Sequence, residues 1–264
     1  MSYSWNQSDV MLALLNGSSI VWQLNFDPRE GKPYFHPITS SQGQELTALR
    51  PSDHPWHRGI WWSWKFINGL NYWEEDANGV SEGLTTLRAT SVETRPDFSA
   101  TIQHLLEYHP PDCPPSLTEK RRLAVSAPDE AGGFTIDWQT EFTAGDTAVH
   151  LARTPIAGEP HGMSWGGYAG LSVRLSSAAE RRDAPQDGEG RRGAPAIHGQ
   201  CASWVEYAGI RVEDHPGNPG YPSYWYVWSD GMHYFGPAIL FLESRTMPPG
   251  SRLEMNYRLV VTPS

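Results

Sequence analysis

Apolar and polar residues alternate with period two along most of this chain. "TTLRATSVET", "ATIQHLLEY", "KRRLAVSA" and "FTIDWQTEFTA" each read as a strand with one buried face. "AVHLARTPI", "GLSVRLS", "ASWVEYAG", "IRVED", "SYWYVWS", "AILFLE" and "RLEMNYRLVV" continue the pattern. "VMLALLNGSSIVWQLNF" holds two apolar runs around Asn16-Gly17, a hairpin signal because both central residues take positive φ. No window of eleven residues carries a helical stripe outside "SDVMLALLN", which reads equally well as a strand. With 22 prolines and 25 glycines between short strands, a large antiparallel β-sandwich or barrel is expected.

The length of 264 residues allows one such domain over 1–264 with a sizeable core. Residues 178–196, "AAERRDAPQDGEGRRGAPA", balance four acidic against four basic side chains and lack bulky apolar ones. A flexible surface loop is expected there. The "VMLALL" run is too short for a signal peptide or a membrane span, so a soluble cytoplasmic protein is expected. A net charge of −10 gives no footprint for nucleic acid or anionic lipid. Cys113 and Cys201 lie far apart, without CxxC spacing.

Twelve tryptophans, against six methionines and eight phenylalanines, change the picture. An indole fills a β core, but it also stacks on sugar rings. "DHPWHRGIWWSW", residues 53–64, places His54, His57 and Arg58 among four of them. Imidazole is the side chain most easily poised near neutral pH, and guanidinium can hold an oxygen in a fixed plane. Pro55 keeps His54 out of the helical region, so this segment reads as a pinned strand rim. Trp62 and Trp64 then alternate with Trp61, and one of these two sets belongs to the core. An H-x-x-H metal pair is the alternative, with His36 or His161 completing three nitrogens, although the spacing matches no standard zinc signature.

Two further clusters carry chemistry. "EPHGMSWGGYAGLSVR" gathers His161, Trp165, Tyr168 and Arg174 around four glycines, in no phosphate-cradling context. "VEDHPGNPGYPSYWYVW" repeats Asp-His-Pro at Asp214 and His215, with Asn218 and Trp225 following. Carboxylates able to partner a histidine are Asp53, Glu74, Glu75, Asp76, Asp214 and Glu243. No G-x-S-x-G elbow supports a serine triad.

"KPYFHPITSSQGQELT", "DHPWHRGIWWSWKFINGLNYWEE", "SWGGYAGLSVR", "WVEYAG" and "DHPGNPGYPSYWYV" resemble, in order, the bacterial family labelled PmoA or DUF6807. The likeness runs from about residue 30 to 240. It marks His36, His54, His57, Arg58, Gly59, Trp165, Gly166, Gly167, Asp214, His215, Pro216, Asn218, Pro219 and Trp225. The methane-oxygenase label fits an integral membrane subunit, and this chain has no spanning segment. The resemblance implies a soluble β-sandwich of the galactose-mutarotase type, a fold whose enzymes use a histidine acid and a carboxylate base on a sugar.

The expectation is therefore an enzyme that hydrolyses, eliminates or epimerises a sugar or glycoside by His/carboxylate chemistry, with no cofactor. His54 or His57 would be the acid/base, Arg58 would orient oxygen, and His161 and His215 would be further site groups. Asp214 or Glu74 would supply the carboxylate. Trp61, Trp165 or Trp225 would stack on the ring, with His36, Tyr168 and Asn218 as binding groups. A non-catalytic carbohydrate-binding sandwich and a metal-dependent enzyme with a histidine-rich centre are the alternatives.

Overall fold

A computed structural model describes residues 2–262 apart from 178, 180 and 181. Two eight-stranded sheets and one four-stranded sheet make up the fold, and every strand pair in them is antiparallel. The first sheet runs β1 (Tyr3–Ser8), β2 (Met11–Asn16), β3 (Ser19–Asn25), β4 (Tyr34–Ile38), β5 (Ile60–Ser63), β13 (Gly170–Arg174), β18 (Tyr234–Pro237), β17 (Trp225–Trp228). The second runs β14 (Gln186–Asp187), β15 (Trp204–Tyr207), β16 (Ile210–Asp214), β20 (Arg252–Val261), β11 (Phe134–Ala144), β10 (Leu117–Val125), β9 (Ala100–His109), β8 (Leu84–Thr94). The small sheet joins β19 (Arg245–Met247), β12 (Val149–Ala152), β6 (Phe66–Ile67) and β7 (Leu70–Asn71).

The period-two pattern becomes one shared core. Along β11 and β20, buried residues alternate with partly exposed ones. Trp62 of the first sheet lies 5.2 Å from Phe142 and 6.3 Å from Tyr257 of the second, ring centre to ring centre. This is the packing of a β-sandwich, in which the inner faces of two sheets interdigitate. A carboxylate is buried in it: Glu119 takes bonds from Tyr108, Thr140 and Arg121, and Arg121 lies over Trp138. Full pairing makes a charge tolerable at that depth.

The first sheet has two covered faces, and this creates the site. Ile60 and Trp62 join the inter-sheet core, whereas Trp61 turns the other way. Tyr34, Tyr226 and Tyr234 share the face of Trp61, forming a second aromatic cluster on the side away from the sandwich interior. Gly59 lets β5 begin beside β4, because its φ is +67° and a Cβ there would meet the Phe35 carbonyl oxygen at 2.3 Å.

Two local expectations are corrected. The first hairpin turns at Gly17 and Ser18, not at Asn16-Gly17: Asn16 already pairs with Ser19, and only Gly17 of that pair has positive φ. "AILFLE" is not a strand, since residues 238–243 form turns that tuck Leu240 into the main core and Phe241 against Tyr224. Residues 178, 180 and 181 of the expected flexible loop lie outside the described residues. Farther along that segment, β14 pairs with β15, and the short helix α1 (Ala194–Ile197) buries Ala194 and Ile197. There the Asp187 carboxylate binds the Glu189 and Arg191 amides and the Arg191 guanidinium. Among the described residues, no helix is long and apolar enough to cross a membrane.

Candidate functional site

A cleft of about 480 Å³ opens over the outward aromatic cluster. Strands supply Tyr226, Trp228 and Tyr234, and loops supply Asp53, His54, Trp56, His57, Trp73, Glu74, Trp165, Tyr168 and the 230–232 hairpin tip. Two of these loops bring the Asp53–His54 and Glu74 side chains, and a third brings Trp165.

The first is the 51–57 segment, which folds as two successive turns. The His54 amide bonds to the Pro51 carbonyl and the His57 amide to the His54 carbonyl. Pro55 pins the second turn, and its outcome is that the imidazoles of His54 and His57 stack, 4.7 Å apart at 22°. Stacked rings do not converge on a common ion. Among the described residues, no three His, Cys, Asp or Glu side chains gather in a metal-holding group.

The two histidines differ sharply. His57 is 3% exposed, boxed by Trp61, Trp73 and Tyr234, and its Nδ1 has no partner among the described residues. Burial, helped by the charges of His54 and Arg174, pushes it down to about 2. It is a neutral ring near neutral pH, unsuited to donate a proton. His54 is half exposed, and its Nδ1 lies 2.8 Å from Asp53 Oδ2. Asp53 also accepts both of its bonds to Arg174 Nη2, at 2.9 and 2.6 Å. Burial acts against the carboxylate, but the bonds from His54 and Arg174 outweigh it and hold Asp53 at about 2. An ionised carboxylate only accepts, so neutral His54 carries its proton on Nδ1 and leaves the Nε2 lone pair free.

The second loop brings Glu74. Its carboxylate is bound by Lys65 Nζ on one oxygen and by the Tyr168 hydroxyl at 2.9 Å on the other. Desolvation raises its proton affinity, but the Lys65 bond and charge outweigh this and keep it lowered. The phenol of Tyr168 is raised by burial and by that neighbouring carboxylate, so it stays a donor.

The third loop, 154–167, carries Trp165. Arg153 clamps it by gripping Glu159 at 2.5 and 2.7 Å. Gly166 makes the fold-back possible, since a Cβ there would meet the Pro155 carbonyl oxygen at 2.0 Å. Trp165 remains 41% exposed at the mouth of the cleft.

Of the residues expected from sequence, the cleft therefore gathers Asp53, His54, His57, Glu74, Trp165 and Tyr168. It does not gather the others. Arg58 is buried beneath, bonded to Glu30 and to Glu75 at 2.6 Å, and it anchors loops rather than orienting a ligand. Trp61 is sealed under His57 and Trp73. Trp225 points into the sandwich core, its indole N–H bonded to the Ala202 carbonyl. His161 sits exposed on the 154–167 loop at φ +58° and does not line the cleft. His36 faces a neighbouring cavity, its Nδ1 3.0 Å from Thr47 Oγ1.

The second Asp-His-Pro does not reach the cleft either. Asp214 ends β16 in the other sheet, where its oxygens bind the Asn218 side chain and the Ser223 amide. Asn218 in turn bridges to Asn256, and His215 Nδ1 accepts the Gly217 amide. This is a turn-locking assembly: short polar side chains satisfy backbone groups that the proline-rich turn leaves open.

Sequence reasoning gave no site role to Trp56, Trp73, Tyr226, Trp228, Asp230 and Tyr234, all of which line the cleft. The period-two rule applied to "WYVW" would have grouped Tyr226 with Trp228, opposite Trp225. Tyr234 lies on a strand that the turn residues around it concealed.

Comparison with curated proteins finds no match. Residues 12–264, nearly the whole chain, match the family of unknown function DUF6807, and the chain belongs to that family.

Proposed function

We propose that this protein is a carbohydrate-active enzyme that acts on a sugar or glycoside in the aromatic cleft. The observation that carries the reading is the Asp53–His54 couple, opening into a cleft walled by indole and phenol rings and faced by the Glu74–Tyr168 pair. Flat rings stack on the apolar face of a pyranose and exclude water around the reacting atoms. His54 Nε2 takes a proton from a hydroxyl or an acidified C–H, or returns one to a leaving oxygen. Asp53 stabilises the imidazolium formed on the way. Ionised Glu74 is the second group: it orients a ligand hydroxyl and stabilises positive charge that develops at the anomeric carbon. Hydrolysis, elimination and epimerisation all draw on this pair of functions.

The test is product formation, followed by proton NMR, across a panel of glycosides that includes oxidised ones. Wild type is expected to turn over at least one of them. Trp228→Ala is expected to weaken that sugar's binding about tenfold, the loss of one stacking surface worth ~1.4 kcal/mol. Tight binding without turnover of any sugar would leave a binding sandwich in place of an enzyme. Unchanged affinity in Trp228→Ala would remove the stacking wall from the argument.

A further inference from the structure

A second cavity of about 410 Å³ adjoins the aromatic cleft, and Gly231 and Met232 of the hairpin tip line both. The Asp53–Arg174 ion pair spans the two, with Asp53 lining the first and Arg174 the second. The second cavity differs in chemistry. Its polar wall is His36, Glu45, Thr47, Arg174, Ser176 and His233, where the cleft has aromatic rings.

Arg174 is the group that points to a ligand. Its side chain is 6% exposed, and Nε and Nη1 both lack a partner among the described residues. Arg58 and Arg121, the other two deeply buried arginines, each leave only one nitrogen unpaired. Leaving a buried charged donor unpaired costs more than leaving a neutral one, so two on one guanidinium form a standing demand for acceptors. Asp53 already occupies Nη2, the atom that would complete either bidentate fork, so the two free nitrogens cannot grip one carboxylate together. They suit two separate hydroxyl oxygens. Glu45 in the same wall disfavours an anion and accepts from a hydroxyl. Thr47 Oγ1 accepts the Ile38 amide and is free to donate to His36 Nδ1, which leaves the proton of a neutral His36 on Nε2 as a further donor.

We infer that this cavity is a subsite for a neutral, hydroxyl-bearing unit of the same ligand. The substrate is then a glycoside of at least two linked units, with its linkage near the Asp53–Arg174 pair. This inference rests on the sugar reading of the aromatic cleft.

The experiment is calorimetric titration of the full chain with glucose, galactose and xylose and with cellobiose, lactose, maltose and gentiobiose. It is run on wild type and on Ser177→Trp, which fills the second cavity from an exposed position. At least one disaccharide is expected to bind tenfold or more tighter than its constituent monosaccharides. Ser177→Trp is expected to abolish that gain and leave monosaccharide affinity unchanged. Equal affinity for disaccharide and monosaccharide, or a gain that survives Ser177→Trp, would overturn the subsite while leaving the sugar reading standing. Should no sugar of the panel bind wild type at millimolar concentration, the sugar reading falls and the subsite with it.

Discussion

Replacing His57 with phenylalanine should make the protein less sensitive to acid. The ring titrates near 6.5 in the unfolded chain and is held at about 2 in the folded one. Between those values the unfolded chain binds a proton that the folded chain refuses. The histidine's stabilising contribution is thus whole above pH 6.5 and is lost as the pH falls. From pH 7 to pH 5 the loss is about 2 kcal/mol for one such group. His104, pushed to about 3 by burial and by Arg121, adds a similar amount, so wild type should lose about 4 kcal/mol from the two. His36 and His198, lowered by burial, act in the same direction in both proteins and cancel in the comparison. Phenylalanine fits the site, because its neighbours are aromatic and the His57 Nδ1 makes no bond to lose. Urea unfolding followed by tryptophan fluorescence at pH 7 and pH 5 measures the difference. The loss on acidification should be smaller in His57→Phe by about 2 kcal/mol. Equal losses in variant and wild type would show that His57 titrates normally in the fold, and the argument that it cannot be the proton carrier would fail.

Two other substitutions separate support from chemistry. Glu75→Gln removes the carboxylate that Arg58, Arg50 and Lys32 share in a buried setting. It should cost about 3–5 kcal/mol and lower the melting temperature by about 5–10 °C; a calorimetric shift below ~1 °C would refute the anchoring role given to Arg58. Asp214→Ala leaves the Ser223 amide and the Asn218 side chain short of an acceptor. It should cost about 1–3 kcal/mol in urea unfolding and leave sugar turnover untouched; lost turnover in a folded variant would return the second Asp-His-Pro to the site.

The sandwich was legible because its strands obey period two, and the same rule correctly set Trp61 apart from Trp62 and Trp64. What it could not supply was depth. Trp61 does face the cleft side, but a layer of His57 and Trp73 lies above it. Arg58 and Trp225 were misplaced for a related reason. A guanidinium or indole beside histidines looks like a ligand group until its partners, here Glu75 and the Ala202 carbonyl, are known, and those lie 17 and 23 residues away. The repeated Asp-His-Pro misled because one tripeptide does two jobs. At Asp53 it turns a histidine onto a carboxylate, whereas at Asp214 it locks a turn. The hairpin at 230–232 and strand β18 went unread because neither has an alternating pattern. Tyr234 of the cleft's aromatic wall was hidden with them.

The most direct test of the central claim is the turnover number of His54→Ala beside that of His57→Phe, on whichever glycoside the wild type consumes. If His54 moves the proton, His54→Ala should lose about 10²–10⁴-fold in kcat, while His57→Phe keeps its rate within about tenfold. A His54→Ala protein that turns over its sugar at the wild-type rate would contradict the account.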